Sequence, residues 1–523
     1  MLLKANKGRV SYRRLSTVGF LLFLLLLAFW YYWLMKPFLF TKIDDVTLQW
    51  QKDSYAIVLL DGREDEEQVK MLESRLFPII GVQYLSGKEL ELDRSPVAIT
   101  FQGGNKKISI LEGNDGQFYR PLLSSSLESG GKSFYILLSG DDIKGMLMER
   151  FFTFFEEPQT LLPQGVQERP DNQEGQLAQF IVSHLSNEQG GVFTNYRDDR
   201  PELADEARNH DILSESTGLL LEYALWTDDK ALYRQQVNYV RKYLIGPYAI
   251  PSWKVKPDNR EPAQSSALID DIRIAAMLLK GAERWDDKRD FYLAKAILEG
   301  IYRYQLLEGR HWTPWFDWSG LSHNWSQWFE PVEPNGGIVV PVRYLQPAYL
   351  ALIATVDSRY EPLVQPALDI IRQADLGNGL FMTDYSPERG PFQEQEAVNM
   401  INSMLAALHG AQVGYVSPKT ASFLQKELQA GRIWAAYHRD QGDEPVAAAD
   451  FRSPAVYALV AQYFLEIDEP QWAQVAVDHL LLYRVNDPNS IFYGGFGDPI
   501  TGDCYSFDNL LALQALALVR QQK

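Results

Sequence analysis

The feature that most constrains this chain is a repeat. Gly190-Gly-Val-Phe193, Gly246-Pro-Tyr248, Trp312-Thr-Pro-Trp315, Gly377-Asn-Gly-Leu-Phe381, Gly431-Arg-Ile-Trp434 and Gly494-Gly-Phe496 are alike. They recur at intervals of roughly sixty residues, as repeated supersecondary units do. Apolar residues at helical spacing predict helices over 173–187, 212–227, 229–245, 265–284, 287–307, 341–356, 359–374, 394–410, 417–430, 451–466, 469–483 and 505–521. The loops before the even helices are long, and the others are short. Six helical hairpins in a row predict a mainly α (α/α)6 barrel whose even helices form the inner ring. An open solenoid of hairpins is the alternative, and six units with long loops at one end favour closure.

Parallel inner helices would gather their N-termini at one mouth. The residues there are Glu215, the pair Asp270-Asp271, Arg343 with Tyr344, Glu396 with Asp384 and Tyr385 in its loop, Asp450 with Arg452, and Tyr505 with Asp508. Helix capping explains an acid at any one start. It does not explain the added Trp, Tyr and Arg. A funnel of carboxylates and aromatic rings suits carbohydrate, because sugar C–H faces pack on rings and hydroxyls donate to carboxylates. The densest aromatic segment holds Trp312, Trp315, Phe316, Trp318, Trp325 and Trp328. Core burial competes with substrate contact for about half of such rings, and for Tyr248.

The chain ahead of the repeat has a different texture. Residues 1–15 carry Lys4, Lys7, Arg9, Arg13 and Arg14 and no acid. Residues 16–36 are mostly apolar and end in Phe-Trp-Tyr-Tyr-Trp, which predicts a signal anchor with a cytoplasmic N-terminus. A cleaved signal peptide is the alternative, but no small-x-small site follows the run, and no nearby Cys offers a lipid attachment point. Residues 41–157 alternate short β-type runs (46–50, 55–60, 97–101, 107–111, 133–138) with helical segments at 64–75 and 142–155. They predict a small α/β accessory domain without a nucleotide motif. Residues 158–172, with Pro158, Pro163 and Pro170, read as a linker to the 173–523 domain.

The net charge of -18 argues against nucleic acid as a partner. The single cysteine, Cys504, excludes an internal disulfide framework. Seven scattered histidines without HxxxH spacing predict no metal and no cofactor.

Several segments resemble glycoside hydrolase family 8 over residues about 173–523. Leu213-Ser-Glu-Ser-Thr-Gly resembles that family's Ser-Glu-Gly-Gln motif, whose Glu is the general acid. Ser265-Ser-Ala-Leu-Ile-Asp-Asp-Ile resembles its Asp-rich motif, whose Asp binds and distorts the sugar. Val342-Arg-Tyr-Leu-Gln-Pro resembles its Ser-Tyr-Phe-x-Pro segment. Gln395-Glu-Ala-Val-Asn occupies the place of its Tyr-Asp-Ala base segment, so Glu396 is the counterpart of the base and Asp384 the competitor. Gln-Gly after the acid is replaced by Ser216-Thr217, and either Asp270 or Asp271 fits the second motif.

The resemblance is greatest to membrane-attached members that accompany exopolysaccharide synthesis. It implies an extracellular, inverting, endo-acting hydrolase. Its partners would be a polysaccharide, the membrane through the N-terminal helix, and a polysaccharide synthase or export machinery. Glu215, raised in pKa by burial and by a neighbour such as Asp271, would be the acid. Two readings compete: a non-catalytic polysaccharide-binding or assembly protein, and a uronate lyase or epimerase using Arg343, Arg452, Tyr437 and His438.

Overall fold

The computed structural model describes seven strands between residues 45 and 138, and residues 172–522 apart from 202–205, 247, 308–310, 320–338, 388–389, 393–395 and 440–443. The expected signal anchor at 16–36, the helices at 64–75 and 142–155, the linker, Trp325 and Trp328 lie outside the described residues. No described helix is long and apolar enough to cross a membrane. Contacts divide the chain into two units, Met1–Phe154 and Phe155–Lys523.

The first unit carries one antiparallel sheet ordered β2-β1-β4-β5-β6-β7-β3. Its strands are β1 (Asp45–Trp50), β2 (Tyr55–Asp61), β3 (Ile79–Ser86), β4 (Val97–Gly103), β5 (Lys106–Glu112), β6 (Phe118–Pro121) and β7 (Lys132–Leu138). β3 and β6 add to the five expected strands. β3 reads poorly as a strand because Gly81 and Gln83 interrupt its apolar run, and a register shift falls between Ile79 and Gly81.

The second unit is built from helices, and every expected one is present. They are α1 (Gln173–His184), α2 (Ser214–Trp226), α3 (Lys230–Tyr239), α4 (Leu268–Trp285), α5 (Lys288–Tyr304), α6 (Pro347–Ala354), α7 (Glu361–Ala374), α8 (Met400–Ala411), α9 (Thr420–Gln429), α10 (Pro454–Glu466), α11 (Pro470–Leu481) and α12 (Ser506–Gln521). The even helices touch in sequence, α2 to α4 to α6 to α8 to α10 to α12, and α12 returns to α2. The ring is closed, so the solenoid alternative is set aside. Inner helices such as α4 bury residues on every side, from Leu268 through Ala282, as a helix enclosed by other helices must. Outer helices such as α7 bury only one stripe: Leu363, Ala367, Leu368, Ile371 and Ala374.

Three expected helices differ most in extent. The third ends at Tyr239 and continues as a π-turn over Val240–Leu244. The sixth starts only at Pro347, because a residue before proline avoids the α region; a 3₁₀ turn over Val342–Tyr344 takes the earlier residues. The eighth starts at Met400, after Ala397–Asn399 pair as a strand with Ala436–His438.

The glycine–aromatic loops are small closures at the ends of outer helices. Ser186 bridges Val192, Ile245 bridges Pro251, Leu306 pairs Trp312, Asp375 bridges Phe381, and Arg484 bridges Phe496. Gly190 and Gly379 take φ of 92° and 108°, which explains the glycine in these turns.

The inner-ring starts obey a second rule. The first N–H of one unit donates to a loop carbonyl of the next. Ser214 donates to Trp253, Leu268 to Pro314, Val342 to Thr383, Met400 to Ala435, and Ser506 back to Thr194. Neighbouring loops, not side chains, therefore satisfy these otherwise orphaned donors. The acids at the mouth are mostly free of capping duty.

Candidate active site

Glu215 occupies the first turn of α2, and it is not a cap. The N-cap is Leu213, without a side-chain cap bond, and Ser214 N–H is already held by Trp253 at 3.1 Å. The Glu215 carboxyl is half-buried and is surrounded by charge from two neighbouring units. Burial first, then the Asp270 carboxylate, raises its pKa to about 7, against the opposing pull of Arg273 and Arg343. A carboxyl with that pKa keeps a substantial protonated fraction at neutral pH.

Asp270 follows from the α4 start. It is buried, its Oδ2 accepts from Ser214 Oγ at 2.9 Å, and its Oδ1 accepts from Arg273 Nη1 at 3.2 Å. Burial raises its pKa, while Arg273, Ser214 and Arg343 act the other way. Asp271 points away from Asp270 around α4, toward the end of α5. It is fully enclosed, and its Oδ2 accepts from Gln305 Nε2 at 2.9 Å at the end of α5. Burial holds its pKa well above the usual value. Adjacent residues on a helix cannot share a face. Asp270, not Asp271, is therefore the carboxylate acting on Glu215, which corrects the expectation stated for Asp271.

Arg343 and Tyr344 come from the 3₁₀ turn before α6. Both are half-buried, with the Arg343 guanidinium 5.0 Å from the Tyr344 ring centroid. Burial raises the Tyr344 phenol, with Asp270 and Glu215 adding to the effect and Arg343 opposing it. Glu215, Asp270, Arg343 and Tyr344 thus form one cluster from three consecutive units.

The two base candidates are placed differently. Asp384 is half-buried, opposite Pro341 in a short antiparallel pair, and its Oδ2 accepts from Thr383 Oγ1 at 2.8 Å. That pairing sets it beside the segment that carries Arg343. Glu396 is exposed, and its carbonyl accepts from Arg439 N–H at 3.2 Å. The leading charges on Glu215 are Asp270, Arg273 and Arg343. Tyr385, beside Asp384, is half-buried against Phe392.

The aromatic residues divide. Tyr248, Trp312 and Trp318 are buried, and Tyr248 and Trp318 pack with Phe316 and Tyr304 in the core under the loop. They offer no face to a substrate, contrary to expectation. Trp315 is 45% exposed, next to the Pro314 carbonyl that holds the α4 start. Tyr505 is exposed and accepts from Arg200 Nη1 at 3.0 Å. Asp450 and Arg452 are exposed, with Arg452 over the Trp434 ring. Asp508 serves α10: it accepts from Ala455 N–H at 2.9 Å and Ser453 Oγ at 3.0 Å. Tyr437 is buried and tied to Glu427 at 2.6 Å, so it is not a base facing the mouth.

Three side chains of this region carry no motif signal. Trp253 is half-buried beside the α2 start, with Lys254 over its ring. Glu222 and Arg273 are charges set in apolar helix runs, Leu-Leu-Leu-Glu222 and Asp-Ile-Arg273-Ile. That setting was the one available sign of them.

Among the described residues no group of His, Cys, Asp and Glu is arranged to hold a metal ion. No protein-family model matches the chain. A Bacillus subtilis (strain 168) protein, "Putative lipoprotein YdaJ", is 26% identical over 339 residues, 64% of this chain and 84% of its own length. A novel alpha-amylase from Clostridium perfringens is similar in structure at 26% identity and a TM-score of 0.59, covering 66% of this chain and 97% of that one. Endoglucanase Cel10 of Klebsiella pneumoniae, a family 8 glycosyl hydrolase, is similar over 66% of this chain and 99% of its own, at 14% identity and a TM-score of 0.46. With its closed ring of six helical hairpins, the second unit shares its fold with this alpha-amylase.

Proposed function

We propose that the second unit is an inverting glycoside hydrolase acting on a polysaccharide at the cell envelope. One observation carries this reading: Glu215 at a helix start, unengaged in capping, is pushed to a pKa of about 7 by burial and Asp270. A protonated Glu215 gives its proton to the glycosidic oxygen as the C–O bond breaks. Asp270, beside it, is suited to bind the sugar at the cleavage point. Asp384 is the preferred base and takes a proton from the attacking water; its pairing beside Arg343 favours it over the exposed Glu396. Inversion requires roughly 6.5–9.5 Å between acid and base carboxyls.

The alpha-amylase likeness makes α-linked glucans the first substrates to test, with β-glucans beside them. The lipoprotein relative and the apolar run at 16–36 support an envelope location, with the second unit outside and a polysaccharide synthase or export machinery as neighbour.

Glu215→Gln is expected to lower kcat by about 10²–10⁴-fold while the circular dichroism spectrum and Tm hold. Activity like the wild type's in that variant overturns the assignment. The anomeric configuration of the first product, read by NMR, tests inversion. A second reading, a non-catalytic polysaccharide-binding toroid, is favoured by one fact: Glu396, in the place of the base, is exposed. Binding of a glucan without cleavage by the wild type would select it.

A further inference from the structure

Below the mouth, the centre of the inner ring is polar. Glu222 lies seven residues beyond Glu215, two turns down the same face of α2. Arg273 lies one turn below Asp270 on α4, bonds it at 3.2 Å, and sets its Nε 3.7 Å from Glu222 Oε2. Glu222 also accepts from Gln514 Nε2 of α12 at 3.0 Å and from the Tyr349 hydroxyl of α6. Asp270, Arg273 and Glu222 are each 5% exposed, and Gln514 is 1% exposed. A Cβ at Gly218 would stand 2.9 Å from Arg273 Cδ, so this glycine in an inner helix makes room for the arginine stem. Interior glycine costs helix stability, which marks the room as needed.

The charges facing this cluster come from every helix packed on it. α2 supplies Glu215 and Glu222, α4 supplies Asp270 and Arg273, and the turn before α6 supplies Arg343 and Tyr344. Tyr349 of α6 is held neutral, its phenol pushed well up by burial and Glu222. His409 of α8 faces Arg273 and is held neutral, its pKa lowered to about 3 by burial and that arginine. α12 contributes the uncharged Gln514, and its Asp508 turns to α10. With Glu215 protonated, Asp270 and Glu222 balance Arg273 and Arg343. With Glu215 ionised, one negative charge is left over in a largely buried site, which is costly.

We propose that Arg273 is a positioning residue: anchored by Glu222, it holds the Asp270 carboxylate in place beside Glu215, and the four fixed charges balance only while Glu215 keeps its proton. Giving the proton to a leaving group then makes the cluster negative at the moment positive charge builds on the sugar ring. This rests on Glu215 acting as the acid.

Two variants with opposite charge effects test it. Glu222→Gln removes a negative charge, so the basic limb of the kcat/KM profile should fall by about one pH unit. Arg273→Met removes a positive charge, so that limb should rise by a similar amount. The Glu222→Gln/Arg273→Met pair restores the balance and should return the limb to near the wild-type position. A merely structural role would lower activity in all three without opposed shifts, and that result overturns the proposal. Carbon-detected NMR titration of Glu215, assigned by its loss in Glu215→Gln, reads the same shifts without any substrate. If the wild type cleaves no glycan, the hydrolase reading falls while the titration still decides this one. Should Arg273→Met fail to fold, the near-isosteric Glu222→Gln decides alone: a downward shift supports the balance, and none overturns it.

Discussion

The two halves of the mouth are made of the same residue types and have different chemistry. Around α2, α4 and α6, Glu215, Asp270, Arg343 and Tyr344 crowd into one largely buried cluster, and burial leads the pKa shifts of Glu215, Asp270 and Tyr344. Around α8, α10 and α12, Glu396, Asp450 and Arg452 stand exposed, and Asp508 is engaged in holding a neighbouring helix. A carboxylate in water exerts a screened field. One facing another carboxylate in a dry pocket becomes a proton donor near neutral pH. Desolvation rather than the number of acids separates the half proposed to react from the more exposed half.

The largest effect should come from crossing that divide with matched changes. Asp270→Asn removes the charge that, after burial, raises Glu215. The Glu215 pKa then falls from about 7 toward the ordinary 4.5, and the protonated fraction at pH 7 falls with it. The loss of kcat/KM should reach about 10²-fold at pH 7 and be smaller at pH 5, where more of the acid keeps its proton. Asp450→Asn should change kcat/KM by less than about threefold at either pH, as exposed charges usually do. Equal losses in the two variants would break the comparison.

A second contrast lies within one loop. Trp318, 2% exposed, closes against Gly246, whose added Cβ would be 2.8 Å from the indole Cζ2. Trp318→Ala should cost about 3–5 kcal/mol in urea unfolding. Trp315, three residues earlier and 45% exposed, should change stability by no more than about 0.5 kcal/mol when replaced by Ala. If Trp315 stacks on sugar, its loss raises KM for a long glucan and leaves a short one unaffected.

That loop shows what the sequence reveals and what it hides. The repeat and the helical periodicity predict twelve helices and a closed ring, because both are local patterns that any reader of the chain can measure. The inner-ring capping by the next unit's carbonyls is invisible, since backbone partners leave no residue signature. Hence Glu215 and Asp508 look alike in sequence, yet one does not cap its helix and the other binds Ala455 N–H. The choice between Asp270 and Asp271 is a choice of helix face, and rotation about the helix axis is set by packing against α2 and α5. Trp312, Trp315 and Trp318 share one composition and divide by burial alone.

The smallest expected effect is at Asp508, and its sign carries information. Its oxygen caps α10, so Asp508→Ala should cost about 1 kcal/mol, as cap removal does. Asp508→Asn keeps an acceptor for Ala455 N–H and should cost less. Burial raises the Asp508 pKa above 3.8, so the folded protein holds this proton to higher pH than the unfolded chain does. Wild-type stability therefore falls as pH rises from about 3.8 through the folded value. Asn does not titrate, so the Tm of Asp508→Asn relative to wild type should improve from pH 4 to pH 8. Hydrolysis should be unchanged in both variants. If Asp508→Asn instead lost activity at constant Tm, Asp508 would be touching substrate, and the half around α12 would share in the chemistry.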